Sequence, residues 1–220
     1  MKIFTAARDV QHEIVIEKSR FICTLKKCAS EEEAQAFIRD CKKKYWDATH
    51  NCSAYVTGEN GQAQRSSDDG EPAGTAGLPM LEVLRKNCLQ DVAVVVTRYF
   101  GGIKLGAGGL VRAYTASVAE TLQKAGLAEK VLVGSYSFTE ELETSGRVLN
   151  LLYQQQLFNL KAVEYGEQVK ITLQFEPENR LETEKWLSDA LNRQIALAEE
   201  GFAYEERLPG DNIGQLQNGR

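Results

Sequence analysis

The stretch Asp91 to Tyr114, DVAVVVTRYFGGIKLGAGGLVRAY, constrains the fold more than any other. Its aliphatic run Val92 to Val96 predicts a strand buried on both faces. Gly101, Gly102, Gly106, Gly108 and Gly109 follow, and the spacing of Leu110, Tyr114, Val118 and Leu122 predicts a long helix that starts at Gly108 or Gly109 and ends at Gly126. A strand, a glycine turn and a helix start together point backbone N–H groups outward, ready for an anion. A second glycine-rich piece, RSSDDGEPAGTAGLP, runs from Arg65 to Pro79. The two stretches hold 8 of the chain's 18 glycines. Glycine is costly in regular structure, so such density marks sharp turns or close backbone approach.

With 220 residues, 43% of them hydrophobic, the chain is long enough for one large or two small globular domains. The net charge of −5 argues against a generic polyanion binder, but its distribution is uneven. Residues 1–127 carry 17 Lys and Arg against 15 Asp and Glu, whereas residues 128–220 carry 9 against 16. A phosphate-bearing partner is therefore expected on the first part. The opening MKIFTAARDV has no apolar core of a secretory signal, and Val92 to Val96 is far too short for a membrane span. Five scattered cysteines without a CxxC argue against a disulfide framework or a structural zinc site. The chain reads as cytoplasmic, with no membrane partner.

Alternating residues predict an amino-terminal hairpin, His12 to Ser19 with Arg20 to Lys27. Ser30 with Glu33 forms a capping box that opens a helix with Ala34, Phe37, Ile38, Cys41 and Tyr45 inward. Strands are expected at Thr49 to Thr57 and Gln62 to Ser67, and Pro79 suits the first turn of a short helix burying Leu81, Leu84 and Cys88. After Lys130 the pattern becomes strand Val131 to Phe138, helix Glu143 to Gln155, strands Phe158 to Tyr165 and Gln168 to Phe175, a helix from Pro177 through Leu191, and a strand within Ile195 to Tyr204. That β-α-β-β-α-β order is the split βαβ of ferredoxin-like domains. The expected division is a first domain at 1–127, a ferredoxin-like domain at 128–207, and a polar, disordered tail at 208–220.

The loop GGIKLGAGG fails both common nucleotide motifs. Gly101 and Gly106 have P-loop spacing, but Ala107 stands where lysine is required; Gly106 and Gly108 begin a dinucleotide fingerprint, but Val111 breaks it. Arg98, Lys104 and Arg112 remain nearby, with no acid between Val92 and Glu120, which suits contacts to a phosphate backbone. Tyr99 and Phe100 can add stacking on an unpaired base. The alternative is a tight strand–helix turn whose glycines serve packing only. Asp68, Asp69 and Glu71 lie within four residues. They read either as ligands for a hard cation or as turn carboxylates that cap the next helix or pair with arginine. His50 and Cys52 share one side of a strand; i and i+2 stand roughly 6–7 Å apart, too far for a ready Cys–His nucleophile. The lysines of CKKKYW (Cys41 to Trp46) complement a helix dipole, with a nucleic-acid edge as the weaker option.

KSRFI (Lys18 to Ile22), SDDGEPAGTAGLPM (Ser67 to Met80) and VVTRYFGGIKLGAGGLVRAY (Val95 to Tyr114) resemble the signature of the IMPACT/YigZ family. The resemblance implies an α+β protein of two domains. The first would be an α/β domain of the ribosomal-protein S-five domain-two type; the second, ferredoxin-like, is the extra carboxyl-terminal domain of bacterial members. It carries no catalytic mechanism and no cofactor. It implies translational control with RNA or ribosome binding. The partner that eukaryotic members meet through an additional leading domain is not carried over.

The resemblance places the candidate surface at Arg98, Tyr99, Gly101, Gly102, Lys104, Gly106, Gly108, Gly109 and Arg112. A second candidate surface comprises Arg65, Asp68, Asp69, Gly70 and Glu71. The expected function is a non-enzymatic translation-associated regulator that binds structured RNA or the ribosome. The alternatives are a divalent-metal-dependent enzyme acting on a phosphorylated substrate through Asp68, Asp69 and Glu71, and an adaptor that binds a protein through its second domain.

Overall fold

The fold follows from a single strand with core on both sides. In the computed structural model, which describes residues 2–209, β6 (Val92–Tyr99) is the middle strand of the order β2-β3-β6-β4-β5. Its neighbours are β2 (Val10–Ile16), β3 (Ser19–Lys27), β4 (His50–Thr57) and β5 (Ala63–Ser67), and all the pairings are antiparallel. Alternate side chains of a strand point to opposite faces. Val92, Val94 and Val96 accordingly join Phe21, Cys23, Cys52, Met80, Leu84, Leu110 and Tyr114 in one core. Ala93 and Val95 join Ala34, Phe37, Cys41 and Tyr55 in another. Helix α1 (Glu31–Lys44) covers the second face, and α2 (Gly77–Lys86) and α3 (Gly106–Ala125) cover the first.

Local chemistry sets the ends of these elements. Ser30 Oγ accepts the Glu33 N–H at 3.2 Å and Glu33 reaches back to the Ala29 N–H at 2.9 Å, a capping arrangement that stabilises a helix by about 1 kcal/mol. The hairpin β2–β3 turns on Glu17 and Lys18, both at positive φ, the twist that a two-residue hairpin requires. Helix α3 starts at Gly106, two or three residues earlier than its apolar spacing indicates, and Gly126 ends it at φ 72°. Cys88 lies beyond α2 rather than on its inner stripe. The strand β1 (Ile3–Ala6) is not signalled by periodicity; it hydrogen-bonds alongside residues 88–90 and is followed by an Ala7 N–H to Gly126 carbonyl contact.

The chain divides into two compact units, Met1–Glu129 and Lys130–Arg220. The second contains most of β7 (Leu127–Glu141), then α4 (Leu142–Tyr153), β8 (Asn159–Tyr165), β9 (Gln168–Phe175), α5 (Arg180–Leu191) and β10 (Ala198–Arg207). Its strand order is β10-β7-β9-β8, and Tyr136, Phe138, Ile171, Leu173, Val148 and Leu187 form its core. The expected polar tail lies outside the described residues from 210 onward. Among the described residues all five cysteines are free thiols, and no helix is long and apolar enough to cross a membrane.

Candidate nucleic-acid interface

Both glycine-rich stretches belong to the first unit, but they do different work. The first places its own anion in its helix start. Asp68 Oδ1 accepts the N–H groups of Ala76 (3.0 Å) and Gly77 (2.8 Å), and its Oδ2 accepts that of Gly74 (2.8 Å). Burial raises the Asp68 carboxyl, but the three N–H donors outweigh it and hold it below its ordinary range. The amides of this loop are therefore occupied. Gly77 is required by closeness, since a methyl there would stand 2.7 Å from the Ser67 nitrogen.

The neighbouring carboxylates also have protein partners. Asp69 and Gly70, both at positive φ, form a turn closed by the Glu71 N–H to the Asp68 carbonyl at 2.9 Å. Asp69 pairs with Lys42 and accepts the Asn51 N–H at 2.6 Å. Glu71, 7% exposed, takes the Arg98 guanidinium at 2.7 Å and the Tyr114 hydroxyl at 2.8 Å on one oxygen. His50 donates from Nδ1 to the Asp69 carbonyl at 2.9 Å, and its Nε2 lies 3.8 Å from the other Glu71 oxygen. Asp68, Asp69 and Glu71 thus point to three different sets of donors, the arrangement of turn and capping carboxylates rather than of a shared cation site. Among the described residues no cluster of three His, Cys, Asp or Glu is placed to hold a metal. Arg65 and Gly70 are exposed beside them.

Arg98 corrects the sequence reading. It was expected to face a phosphate backbone, yet it is only 5% exposed. Its guanidinium pairs with Glu71, donates to Ser19 Oγ at 3.3 Å, and lies 5.3 Å from the Phe21 ring and 5.5 Å from the Phe100 ring. The cause is strand parity: Arg98 follows Val92, Val94 and Val96 on the face that packs against α3. A buried, paired charge of this kind is committed to its partner, is costly to leave alone, and is not free for a ligand. Cys52, on the same face, donates its thiol to the Asp68 carbonyl at 2.9 Å and lies 3.3 Å from the Tyr114 hydroxyl. Burial pushes the Cys52 thiol up to about 12 and raises the Tyr114 hydroxyl as well. Cys52 and His50 form a structural network, and sequence reasoning missed its remaining members, Glu71, Arg98 and Tyr114 acting together.

The second glycine turn is open. Leu105, at the cap position of α3, supplies no side-chain hydrogen bond, and the first turn contains no acid. Gly102, Lys104, Gly106, Gly108 and Arg112 are exposed, and Gly101 and Gly109 are half-buried. Arg112 lies close over Gly108, its Nη1 3.7 Å from where a methyl would stand. Tyr99 is half-buried; its hydroxyl donates to Asp47 at 2.9 Å and its ring lies under Arg20. Burial raises the Tyr99 hydroxyl, and the Asp47 bond adds to that. Phe100, Ile103 and Val111 expose apolar surface around the turn.

Residues 17–122 match the Impact N-terminal domain. IMPACT family member YvyE of Bacillus subtilis (strain 168) is 48% identical over 204 residues, 93% of this chain and 94% of that protein. The chain belongs to the IMPACT family. IMPACT family member YigZ of Escherichia coli (strain K12) is 38% identical over 152 residues, 63% of this chain and 74% of its own length. A solved structure described as a hypothetical protein matches with a TM-score of 0.57 at 33% identity, covering 91% of this chain and 98% of its own.

Proposed function

We propose that this IMPACT family protein is a cytoplasmic, non-enzymatic, translation-associated regulator that binds structured RNA or the ribosome through the second glycine turn. The observation that supports this reading is the exposed start of α3. Gly106 and Gly108 leave its backbone accessible without a side-chain cap, and Lys104 and Arg112 flank it. Helix N-terminal amides together with cations favour a phosphate backbone, and the motif satisfies neither common nucleotide-binding pattern. Family membership and its association with translational control favour RNA over a small anion. In this account the first unit is of the ribosomal-protein S-five domain-two type. The second is ferredoxin-like, as its order β10-β7-β9-β8 suggests.

The test is binding of the protein to ribosomal RNA fragments by filter retention over a salt series. Lys104→Ala with Arg112→Ala should weaken binding and reduce the slope of log K against log salt by about 2, roughly one per lost phosphate contact. Unchanged affinity in a folded double variant would remove the turn from the interface. A second reading, a protein adaptor, is favoured by β10, which exposes Phe202 and Tyr204 on an acidic strand. Co-purification through the second unit that survives nuclease treatment would support it.

A further inference from the structure

The first residues of the KSRFI motif touch the glycine turn. Gly101 packs so closely on the tip of the β2–β3 hairpin that a methyl there would overlap the Lys18 carbonyl. The Gly101 N–H also donates to Ser19 Oγ at 3.1 Å, and Ser19 Oγ receives Arg98 at 3.3 Å. These contacts fix the hairpin tip against the turn, and both Glu17 and Lys18 at that tip are exposed. Among the described residues Lys18, Lys104 and Arg112 make no salt bridge, so their charges are not committed to a protein carboxylate.

Phe100 lies in this same surface. Its backbone N–H is held by Thr49 Oγ1 at 3.1 Å and its ring rests near the buried Arg98 guanidinium, yet Phe100 is 47% exposed. An aromatic ring fixed from below and open to solvent is a stacking platform for a base. A base inside a duplex has no free face to offer it.

We propose that the hairpin tip and the glycine turn form one surface for an unpaired RNA segment. One base stacks on Phe100, and its flanking phosphates lie between Lys18 on one side and Lys104 with Arg112 on the other. The inference rests on the RNA reading above and narrows it from structured RNA in general to its single-stranded portions. It also assigns Lys18 and Phe100 the contact role that Arg98, being buried, does not have.

Fluorescence anisotropy with a labelled 12-nucleotide oligouridylate and a 12-base-pair RNA duplex of the same length tests it. The single strand should bind more tightly than the duplex. Lys18→Ala should weaken single-strand binding and lower the salt slope by about 1. Phe100→Leu should weaken it about 5- to 140-fold, the range of one lost base stack, and leave duplex binding unchanged. Phe100→Trp, which keeps a stacking ring, should retain the affinity and so exclude a folding defect. Preference for the duplex, or loss in the Lys104→Ala/Arg112→Ala protein but not in Lys18→Ala and Phe100→Leu, would overturn this inference and leave the broader RNA reading standing. No RNA binding by the unaltered protein would end both.

Discussion

Replacing Glu71 by Gln keeps its shape and removes its charge, and the consequence can be worked from the surroundings. The two side chains of the Glu71–Arg98 pair are 3% and 6% exposed and meet at 2.7 Å. Removing one partner of a buried pair leaves the other charge uncompensated, at about 3–5 kcal/mol. The first unit comprises residues 1–129. For a unit of that size, 1 kcal/mol corresponds to roughly 3–5 °C, so Glu71→Gln should lower its melting temperature by about 10–20 °C. Exchanging both partners for apolar residues, Glu71→Leu with Arg98→Met, should recover much of the loss, because the desolvation cost disappears along with the attraction. Thermal unfolding followed by circular dichroism reads both. A shift under about 3 °C in the single variant, or a double variant as unstable as the sum of its parts, would refute the claim that Arg98 is a buried charge compensated by Glu71.

Two further outcomes follow from named groups. Asp68→Ala frees three backbone N–H groups at the start of α2 and should cost about 1–2 kcal/mol in urea unfolding. Because the folded Asp68 carboxyl is held below its ordinary value of 3.8, its contribution is present above that value and is lost as pH falls through the folded pKa. The acid limb of the stability profile should therefore flatten in Asp68→Ala. Burial raises the thiols of Cys23 and Cys52 to about 12 and those of Cys28 and Cys41 to about 11. Their folded pKa lies above the unfolded value of 9.0, so this contribution is full below pH 9 and is lost as pH rises through 11 to 12. Thiol titration at pH 8 should find these four slow to react in the native protein, and all five cysteines fast in denaturant.

The sequence made the architecture legible wherever periodicity was strong. The alternation in β2 and β3, the cap at Ser30 and the aliphatic run in β6 each have one physical reading, and the structure places them accordingly. The strand β1 was not legible, because its four residues have no pattern of their own and are placed by hydrogen bonds to residues 88–90. At the candidate site the chemistry was visible but the burial was not. Arg98 reads as a surface cation when nearby charges are counted, whereas carrying the two-residue period on from Val96 would have placed it inside. Asp68, Asp69 and Glu71 form a cluster in sequence only; the Asp69–Gly70 turn sends their side chains to separate partners. Contacts such as Gly101 on Lys18 join residues far apart in the chain, and single-residue preferences do not encode them.

The exposed glycine turn flanked by cations should bring this protein to RNA of the translation machinery. The assay is sedimentation of ribosomes through a sucrose cushion at low and high salt, with the unaltered protein and with Lys104→Ala/Arg112→Ala. The unaltered protein should co-sediment at low salt and be released as salt rises, and the double variant should stay in the supernatant. Equal retention of both proteins, insensitive to salt, would contradict it.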